Sequence, residues 1–176
     1  MQSDLISESY RKEQAALHAT GTYGTAALQF GELVSELVSR TKAKTLLDYG
    51  CGSKRSLASV LDCNVLYEGY DPAVPAFSAE PDPAEIVACI DVLEHIEPKL
   101  LDSVLDHIRS KTQRYAFLSI HCGPAVKTLS DGRNAHLIQE PPSWWLPKIM
   151  RRFDLRSFVR SPAGFWVTVC PGPTQN

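Results

Sequence analysis

Apolar positions in this chain follow two patterns, short continuous runs and a helical spacing. The runs are typical of buried strands, and they predict strands at 45–48, 65–70, 85–90, 115–120, 155–160 and 165–170. The helical spacing, with apolar positions on one face, predicts helices at 4–18, 26–39, 56–61, 98–109 and 142–153. Strands that alternate with helices indicate an α/β fold.

The order of these elements predicts a mainly parallel sheet of about six strands that ends in an antiparallel hairpin. Ligands of such sheets bind beyond the carboxyl ends of the strands. Polar clusters follow four of the predicted strands, at residues 48–50, 71, 91–95 and 121–123. We therefore expect a binding site at this edge of the sheet.

The stretch LLDYGCG (46–52) ends an apolar run with an acid and two glycines. Glycine tolerates a positive φ and a close approach by another molecule. A helix after Gly52 would present backbone N–H groups to a ligand at its N-terminus. Asp71 ends the next predicted strand, at about the 20-residue offset at which a carboxylate binds ribose hydroxyls. The alternative reading of Asp71 and Pro72 is the start of a turn.

Composition narrows the class of protein. The 176 residues carry a net charge of −2, so the chain lacks the overall positive charge that is typical of nucleic-acid-binding domains. The sequence shows neither a secretory signal nor an apolar run of membrane-spanning length. Its five cysteines are unpaired in spacing, which favours reduced thiols. These features predict a cytoplasmic protein without membrane contact.

Three stretches resemble the class I S-adenosylmethionine-dependent methyltransferases: LLDYGCG (46–52), YEGYDP (67–72) and EIVACIDVLEHIEP (85–98). The resemblance implies a Rossmann-like three-layer sandwich and S-adenosyl-L-methionine as cofactor. In that family the first stretch is the cofactor loop, the second carries the ribose acid, and the third lies beside the methyl donor. The implied cofactor-binding residues are Asp48, Tyr49, Gly50, Gly52, Asp71, Pro72, Ile90 and Asp91.

The chain departs from the family pattern in two places. Lys54 stands where the family usually has a third glycine. Only a short proline-rich loop separates Asp71 from the next strand, so we expect that one edge strand is missing. Glu80 and Asp82 are then candidates for reading the adenine. Residues 1–40 are predicted as a helical lid segment and 41–176 as the methyltransferase-like domain. In the lid, Arg11, His18 and Tyr23 are candidate contacts.

Candidate catalytic residues follow the third and fourth predicted strands and the loop beyond: Glu94, His95, His121 and His136. One hypothesis is a divalent metal held by Asp91, Glu94, His95 and His136, which resembles the arrangement of small-RNA 2′-O-methyltransferases. Such a metal would lower the pKa of a hydroxyl group. The alternatives are a metal-free general base at His95 and a purely structural histidine.

The sequence thus predicts an S-adenosylmethionine-dependent methyltransferase for a small-molecule or nucleic-acid-related hydroxyl or amine. Two other functions stay open at this point. A nicotinamide-dependent oxidoreductase would need a substrate domain, and none is visible in the sequence. A non-catalytic binding module of the same fold is favoured by Lys54 and by the short loop after Asp71.

Overall fold

A computed structural model describes residues 5–19 and 25–172 of the chain. The helices are α1 (Glu8–Ala19), α2 (Gly31–Thr41), α3 (Leu101–Lys111) and α4 (Pro142–Met150). The strands are β1 (Thr45–Tyr49), β2 (Leu66–Tyr70), β3 (Ala84–Ile90), β4 (Thr112–His121), β5 (Phe153–Arg160) and β6 (Gly164–Pro171). All six predicted strands are present, with ends that differ by up to three residues.

The strands form one six-stranded sheet in the order β2-β1-β3-β4-β6-β5. The first four strands are parallel, whereas β6 pairs antiparallel to both β4 and β5. Chain order reverses between β1 and β3, which is where doubly wound sheets bind ligands. The predicted α/β sandwich with its C-terminal hairpin is confirmed, and the described sheet ends at β2 with no further strand beyond it.

Helices cover both faces of the sheet, which makes the three layers. On one face α2 packs on β1, β3 and β4 through residues such as Val34, Leu46 and Phe117. On the other face α3 and α4 pack through Leu105 and Trp145. Because β1 and β3 are buried on both sides, their sequences are continuous apolar runs rather than alternating ones.

The prediction of a helix at 56–61 is wrong. Residues 52–60 form consecutive turns, and Arg55, directly before the predicted helix, has a φ of +49°, a left-handed conformation from which a right-handed helix does not start. A segment this short gains too few helical hydrogen bonds to offset nucleation. The last helix also ends at Met150, earlier than predicted, because β5 begins at Phe153.

Two other expectations concern the cell and the membrane. None of the helices in the described ranges combines the length and the apolar character needed to cross a bilayer. All five cysteines are free thiols, and three of them are buried: Cys51, Cys89 and Cys170.

Candidate active site

A cavity of about 400 Å³ lies at the carboxyl ends of β1, β2, β3 and β4. It brings together nearly all of the residues that the sequence singled out. These are Asp48, Tyr49, Gly50, Gly52, Asp71, Pro72, Ile90, Asp91, His95, His121 and His136. The predicted sites therefore form one site rather than several.

The helix α1 forms a wall of this cavity. Tyr10, Gln14 and His18 lie four residues apart on one helix face, and all three line the cavity. Of the three candidate contacts predicted in this segment, His18 lines the cavity, whereas Arg11 is exposed and Tyr23 lies outside the described residues. The four-residue spacing was the signal that could have identified Tyr10 and Gln14.

The glycine loop after β1 differs from its predicted role. The N–H groups of Gly50 and Cys51 both donate to the carbonyl of Tyr70, over 2.7 and 3.1 Å. The N–H of Gly52 donates to Oδ2 of Asp71 over 3.0 Å. These N–H groups are satisfied within the protein, so the loop contributes close approach rather than the predicted row of donors to a ligand.

Positive φ angles make glycine necessary in this loop. Gly50 has a φ of +83°, and a Cβ there would lie 2.4 Å from Cγ2 of Val92. Gly52 has a φ of +62°. The loop therefore has its bend and its close contact with Val92 only because both residues lack a side chain.

Asp71 joins the glycine loop to the turn after β2. Its Oδ2 accepts from Gly52, and its Oδ1 accepts from the N–H of Ala73 over 2.9 Å. The turn reading and the ribose reading of Asp71 are therefore compatible. Each carboxylate oxygen accepts one backbone N–H in these bonds, and a carboxylate oxygen has two lone pairs.

Asp48 is a buried acid behind the loop, and its Oδ2 accepts from the hydroxyl of Tyr67 over 2.6 Å. Burial raises the pKa of Asp48 to about 7, with a smaller opposing effect of the Tyr67 hydrogen bond. The guanidinium of Arg55 lies 4.7 Å from the centre of the Tyr67 ring and holds this side of the loop. Near neutral pH the Asp48 carboxyl is thus close to its titration point.

Asp91 follows β3 in a left-handed conformation, with a φ of +51°. Its N–H donates to the carbonyl of Ser119, and the hydroxyl of Ser119 donates to its Oδ1 over 2.5 Å. Unusual backbone angles of this kind persist only where the surroundings hold them, and they concentrate at functional sites. The arrangement fixes one Asp91 oxygen at the edge of the cavity.

Three histidine rings lie in contact beyond Asp91, with His136 between the other two. Its ring centre lies 4.6 Å from that of His95 and 4.9 Å from that of His121. Nδ1 of His95 donates to the carbonyl of Ala135, and Nδ1 of His136 donates to that of Gly123 over 2.7 Å. Because a carbonyl only accepts, these bonds place the hydrogen on Nδ1 of both rings.

Burial keeps two of these rings uncharged near neutral pH. It lowers the pKa of His95 to about 3 and also lowers that of His136, although the hydrogen bond to Gly123 opposes the second effect. In a neutral ring protonated at Nδ1, Nε2 is a hydrogen-bond acceptor. His136 therefore presents an accepting nitrogen next to Asp91.

Glu94 is fully buried and is not among the lining residues, unlike the other predicted catalytic residues. Its Oε1 accepts from the N–H of His121 over 2.8 Å, and its Oε2 has no partner among the described residues. Burial, assisted by the charge of Asp91, raises the pKa of Glu94 well above its usual range. This position favours a neutral acid that orients His121 over a group that contacts an acceptor.

The hypothesised metal set is not assembled. Among residues 5–19 and 25–172, no three His, Cys, Asp or Glu side chains are grouped so as to hold a metal ion. Glu94 does not line the cavity. Nδ1 of both His95 and His136 binds a backbone carbonyl, which leaves Nε2 as the one ligating nitrogen of each ring. A metal-binding role for these residues stays a prediction.

Glu80, a candidate for reading the adenine, lies elsewhere. Its Oε1 accepts from Nε2 of His107 over 2.9 Å and pairs with Lys111. Neither Glu80 nor Asp82 lines the cavity. In the loop after Asp71, the cavity wall is formed by Pro72 and Ala73.

The family profile described as a methyltransferase domain matches residues 24–161. The chain belongs to this methyltransferase family. The match includes the glycine loop, Asp71, Asp91 and the three histidines. The alternative prediction of a nicotinamide-dependent oxidoreductase is therefore dropped. No curated protein matches the sequence of this methyltransferase significantly.

Solved structures of methyltransferases share the fold. The 1,6-didemethyltoxoflavin-N1-methyltransferase of Burkholderia thailandensis, solved with 1,6-didemethyltoxoflavin and S-adenosylhomocysteine, has a TM-score of 0.68 at 15% identity, over 98% of this chain and 94% of that chain. The magnesium protoporphyrin IX methyltransferase of Synechocystis PCC 6803, solved with SAM, has a TM-score of 0.56 at 15% identity, over 97% and 87%. The small RNA methyltransferase HEN1 has a TM-score of 0.60 at 15% identity, over 84% of this chain and 25% of that chain. At such identities the likeness establishes the fold.

Proposed function

We propose that this methyltransferase binds S-adenosylmethionine along the carboxyl ends of β1, β2 and β3 and transfers its methyl group to a hydroxyl or amine of a small-molecule or nucleic-acid-related acceptor. The observation that carries the proposal is the hydrogen bond from the N–H of Gly52 to Asp71. It places a carboxylate beside the glycine loop, where a ligand can approach the backbone closely. The family assignment supports it, as do two similar structures solved with S-adenosylhomocysteine or SAM.

The residues present fit a cationic sulfonium nucleoside. The carboxyl groups of Asp48, Asp71 and Asp91 surround one end of the cavity, and such groups favour a positive charge. Asp71 is suited to accept from the ribose diol, since a carboxylate is an acceptor only. Pro72, Ala73, Ile90 and Val92 supply apolar surface for the adenine. Asp91, fixed by Ser119, lies on the side of the histidines.

When bound, S-adenosylmethionine supplies an electrophilic methyl group on a positively charged sulfur. The chain has to align the acceptor with that group and exclude water, and alignment alone supplies several kcal/mol. His136 is the residue that we assign to take the acceptor's proton, because it lines the cavity and its Nδ1 is bound to Gly123, which leaves Nε2 as the accepting nitrogen. His121, whose backbone N–H is held by Glu94, also lines the cavity, with its ring centre 4.9 Å from that of His136.

Calorimetric titration of S-adenosylhomocysteine, S-adenosylmethionine and NAD⁺ tests the proposal. We expect the two sulfur nucleosides to bind and to raise the melting temperature, and NAD⁺ to do neither. Asp71→Asn should weaken binding about tenfold or more, since it replaces a charge-assisted hydrogen bond to the diol. The control is Asp62→Asn, which changes an exposed acid outside the cavity.

Two outcomes would contradict the proposal in different ways. Tighter binding of NAD⁺ than of S-adenosylhomocysteine would end the cofactor assignment. Binding of S-adenosylhomocysteine without transfer to any acceptor would favour the non-catalytic binding module. A cytoplasmic location stays a prediction, supported by the five free thiols.

A further inference from the structure

The acceptor side of the cavity is a roofed chamber. The helix α1 is held over it by long-range hydrogen bonds, from the hydroxyl of Tyr10 to the carbonyl of His95 (2.6 Å) and from the N–H of Ser7 to Oε2 of Glu97 (2.8 Å). A third bond joins the N–H of Ser130 to Glu13. A cavity that an anchored helix covers on one side suits a ligand that is largely buried on binding.

The walls of the chamber carry apolar surface from two chain segments. Leu5 and Ile6 come from the segment before α1, and Pro124 and Ala125 come from the loop after β4. Ile96 completes the apolar surface. Apolar walls with a few converging polar groups are typical of sites for small molecules.

The charges around the cavity argue against a polyanionic acceptor. Besides Asp48 and Asp71, which we assign to the cofactor, its lining includes the carboxyl groups of Asp91 and Glu97. Among the described lining residues, Lys127 is the single lysine or arginine. Proteins that bind nucleic acid neutralise phosphates with several such cations, and this lining would instead repel them.

The tautomer of His136 determines which hydrogen-bonding group the acceptor needs. Its Nδ1 donates to Gly123, so its Nε2 can only accept in the neutral ring. Asp91 beside it is also an acceptor. A ligand that satisfies both needs a hydrogen on the group that faces them, and an anionic group there would meet repulsion.

We propose that the acceptor is a small uncharged compound, enclosed between α1 and the loop after β4, whose weakly acidic N–H or O–H faces Nε2 of His136. This inference rests on the proposed function and names its substrate class, with nucleic acid excluded. In the transfer, the acceptor nitrogen or oxygen forms a bond to the methyl carbon, and the bond from that carbon to sulfur breaks. The electron pair of the broken bond stays on sulfur, and the acceptor's proton passes to Nε2 of His136.

The test uses the full chain saturated with S-adenosylhomocysteine for binding, and with radiolabelled S-adenosylmethionine for transfer. The probes are a library of uncharged aromatic N–H and O–H compounds, the N- or O-methylated counterparts of its hits, benzoate, and a single-stranded RNA. We expect uncharged donors to bind and to be methylated. Their methylated counterparts should bind about tenfold more weakly, since a buried acceptor is left unpaired. Benzoate and RNA should show neither binding nor transfer.

Variants locate the binding in the chamber. Ala125→Phe adds bulk from the loop and Ile6→Phe from the segment before α1, so that one informative variant remains if the other does not fold. Both should lose acceptor binding at least tenfold, while binding of S-adenosylhomocysteine changes less than twofold. The control, Val159→Phe, adds bulk on the exposed face of β5 and should leave both unchanged.

Three results would overturn the inference: methylation of RNA, tighter binding of benzoate than of the uncharged donors, or no hit that the chamber variants weaken. Each of these counts against the inference only when S-adenosylhomocysteine binds the unmodified chain. Failure of S-adenosylhomocysteine to bind would instead overturn the proposed function.

Discussion

Nε2 of His18, at the end of α1, lies 3.7 Å from Oδ2 of Asp71. The two side chains are 10% and 9% exposed, so the histidine covers the acid to which we assign the cofactor's sugar. Burial lowers the pKa of His18, and the charge of Asp71 opposes this. The roof over the acceptor chamber and the cover over the cofactor acid are thus one helix.

Loosening α1 should be measurable without any ligand. Tyr10→Phe removes the bond from its hydroxyl to His95 and leaves Gln14 without its partner hydroxyl. Because one such hydrogen bond contributes about 1 kcal/mol, amides of α1 should exchange about fivefold faster, with those of α3 unchanged. Hydrogen exchange read by mass spectrometry measures both helices in one experiment.

Ser9→Ala is the matched control for that change. It removes only an exposed contact between the hydroxyls of Ser9 and Ser7, on the same helix. Equal exchange rates of α1 in the two variants would show that the Tyr10 hydroxyl does not anchor the helix.

The buried acid Asp48 should make stability depend on pH. Its pKa in the folded chain, about 7, is above the 3.8 of an unperturbed aspartate, so the folded state binds the proton more tightly. The contribution of this group to the free energy of unfolding is fully present below pH 3.8 and is lost as the pH rises through 7. Its full size is about 4 kcal/mol. Asp48→Asn cannot ionise and should be the more stable protein above pH 7.

Urea unfolding at pH 5 and at pH 8 checks this expectation. The difference between Asp48→Asn and the unmodified chain should grow with pH, whereas the exposed Asp62→Asn should show no such trend. A variant that is less stable than the unmodified chain at pH 8 would show that Asp48 is not a buried acid of raised pKa.

Substitutions at Glu94 separate a neutral positioning acid from an ionised catalytic group. Glu94→Gln keeps an oxygen that accepts from the N–H of His121, and burial already holds the carboxyl in its neutral form. We expect methyl transfer within about threefold of the unmodified rate. Glu94→Ala leaves that N–H unpaired and a cavity behind it, and should cost at least about 2 kcal/mol in the free energy of unfolding.

Transfer rates and unfolding curves of both Glu94 variants give the answer. A loss of about a hundredfold or more in the Gln variant, with S-adenosylhomocysteine binding intact, would mean that the ionised carboxylate takes part in the reaction. The pH profile of the Gln variant should match that of the unmodified chain.

Two glycines with nearly equal φ angles test the glycine loop. Gly50 and Gly132 have φ angles of +83° and +85°, but a Cβ on Gly50 meets Val92 at 2.4 Å, and one on Gly132 meets nothing within 4 Å. Gly132→Ala should cost about 1 kcal/mol for its backbone alone. Gly50→Ala should cost about 2 kcal/mol more because of the contact, and should abolish binding of S-adenosylhomocysteine.

The double variant Gly50→Ala/Val92→Ala distinguishes the two contributions. Removing the Val92 methyl groups should restore the share of the unfolding free energy that the steric contact with Val92 costs. The share that the positive φ of residue 50 costs should remain lost. Equal unfolding free energies of Gly50→Ala and Gly132→Ala would show that the loop does not lie against Val92.

Local patterns were sufficient for the sheet but not for every helix. The strands β1 and β3 could be predicted because burial on both faces requires continuous apolar residues. The spacing at 56–61 has the same helical form as that of α3, but it gave turns because Arg55 adopts a left-handed conformation. The Arg55 guanidinium lies over the rings of Tyr67 and Phe77, a tertiary contact that sequence spacing does not encode.

The candidate site was predictable where it follows strand ends and not where it depends on burial. Asp48, Asp71 and Asp91 lie at such ends and meet in one cavity. Glu94 has the same polar character in sequence, but the fold buries it behind His121. The wall from α1 could not be placed, since its partners are far away in the chain.

The anchoring of α1 has a consequence for the order in which the molecule is completed. Its bonds join residues that are 85, 90 and 117 positions apart, so the helix leaves the ribosome long before its partners exist. Contacts of such separation are entropically expensive and form late. We therefore expect the sheet and its carboxyl-end cavity to form first, and α1 to dock over the cavity as a late folding event. Before that event the acidic residues of the cavity are in place but exposed to solvent.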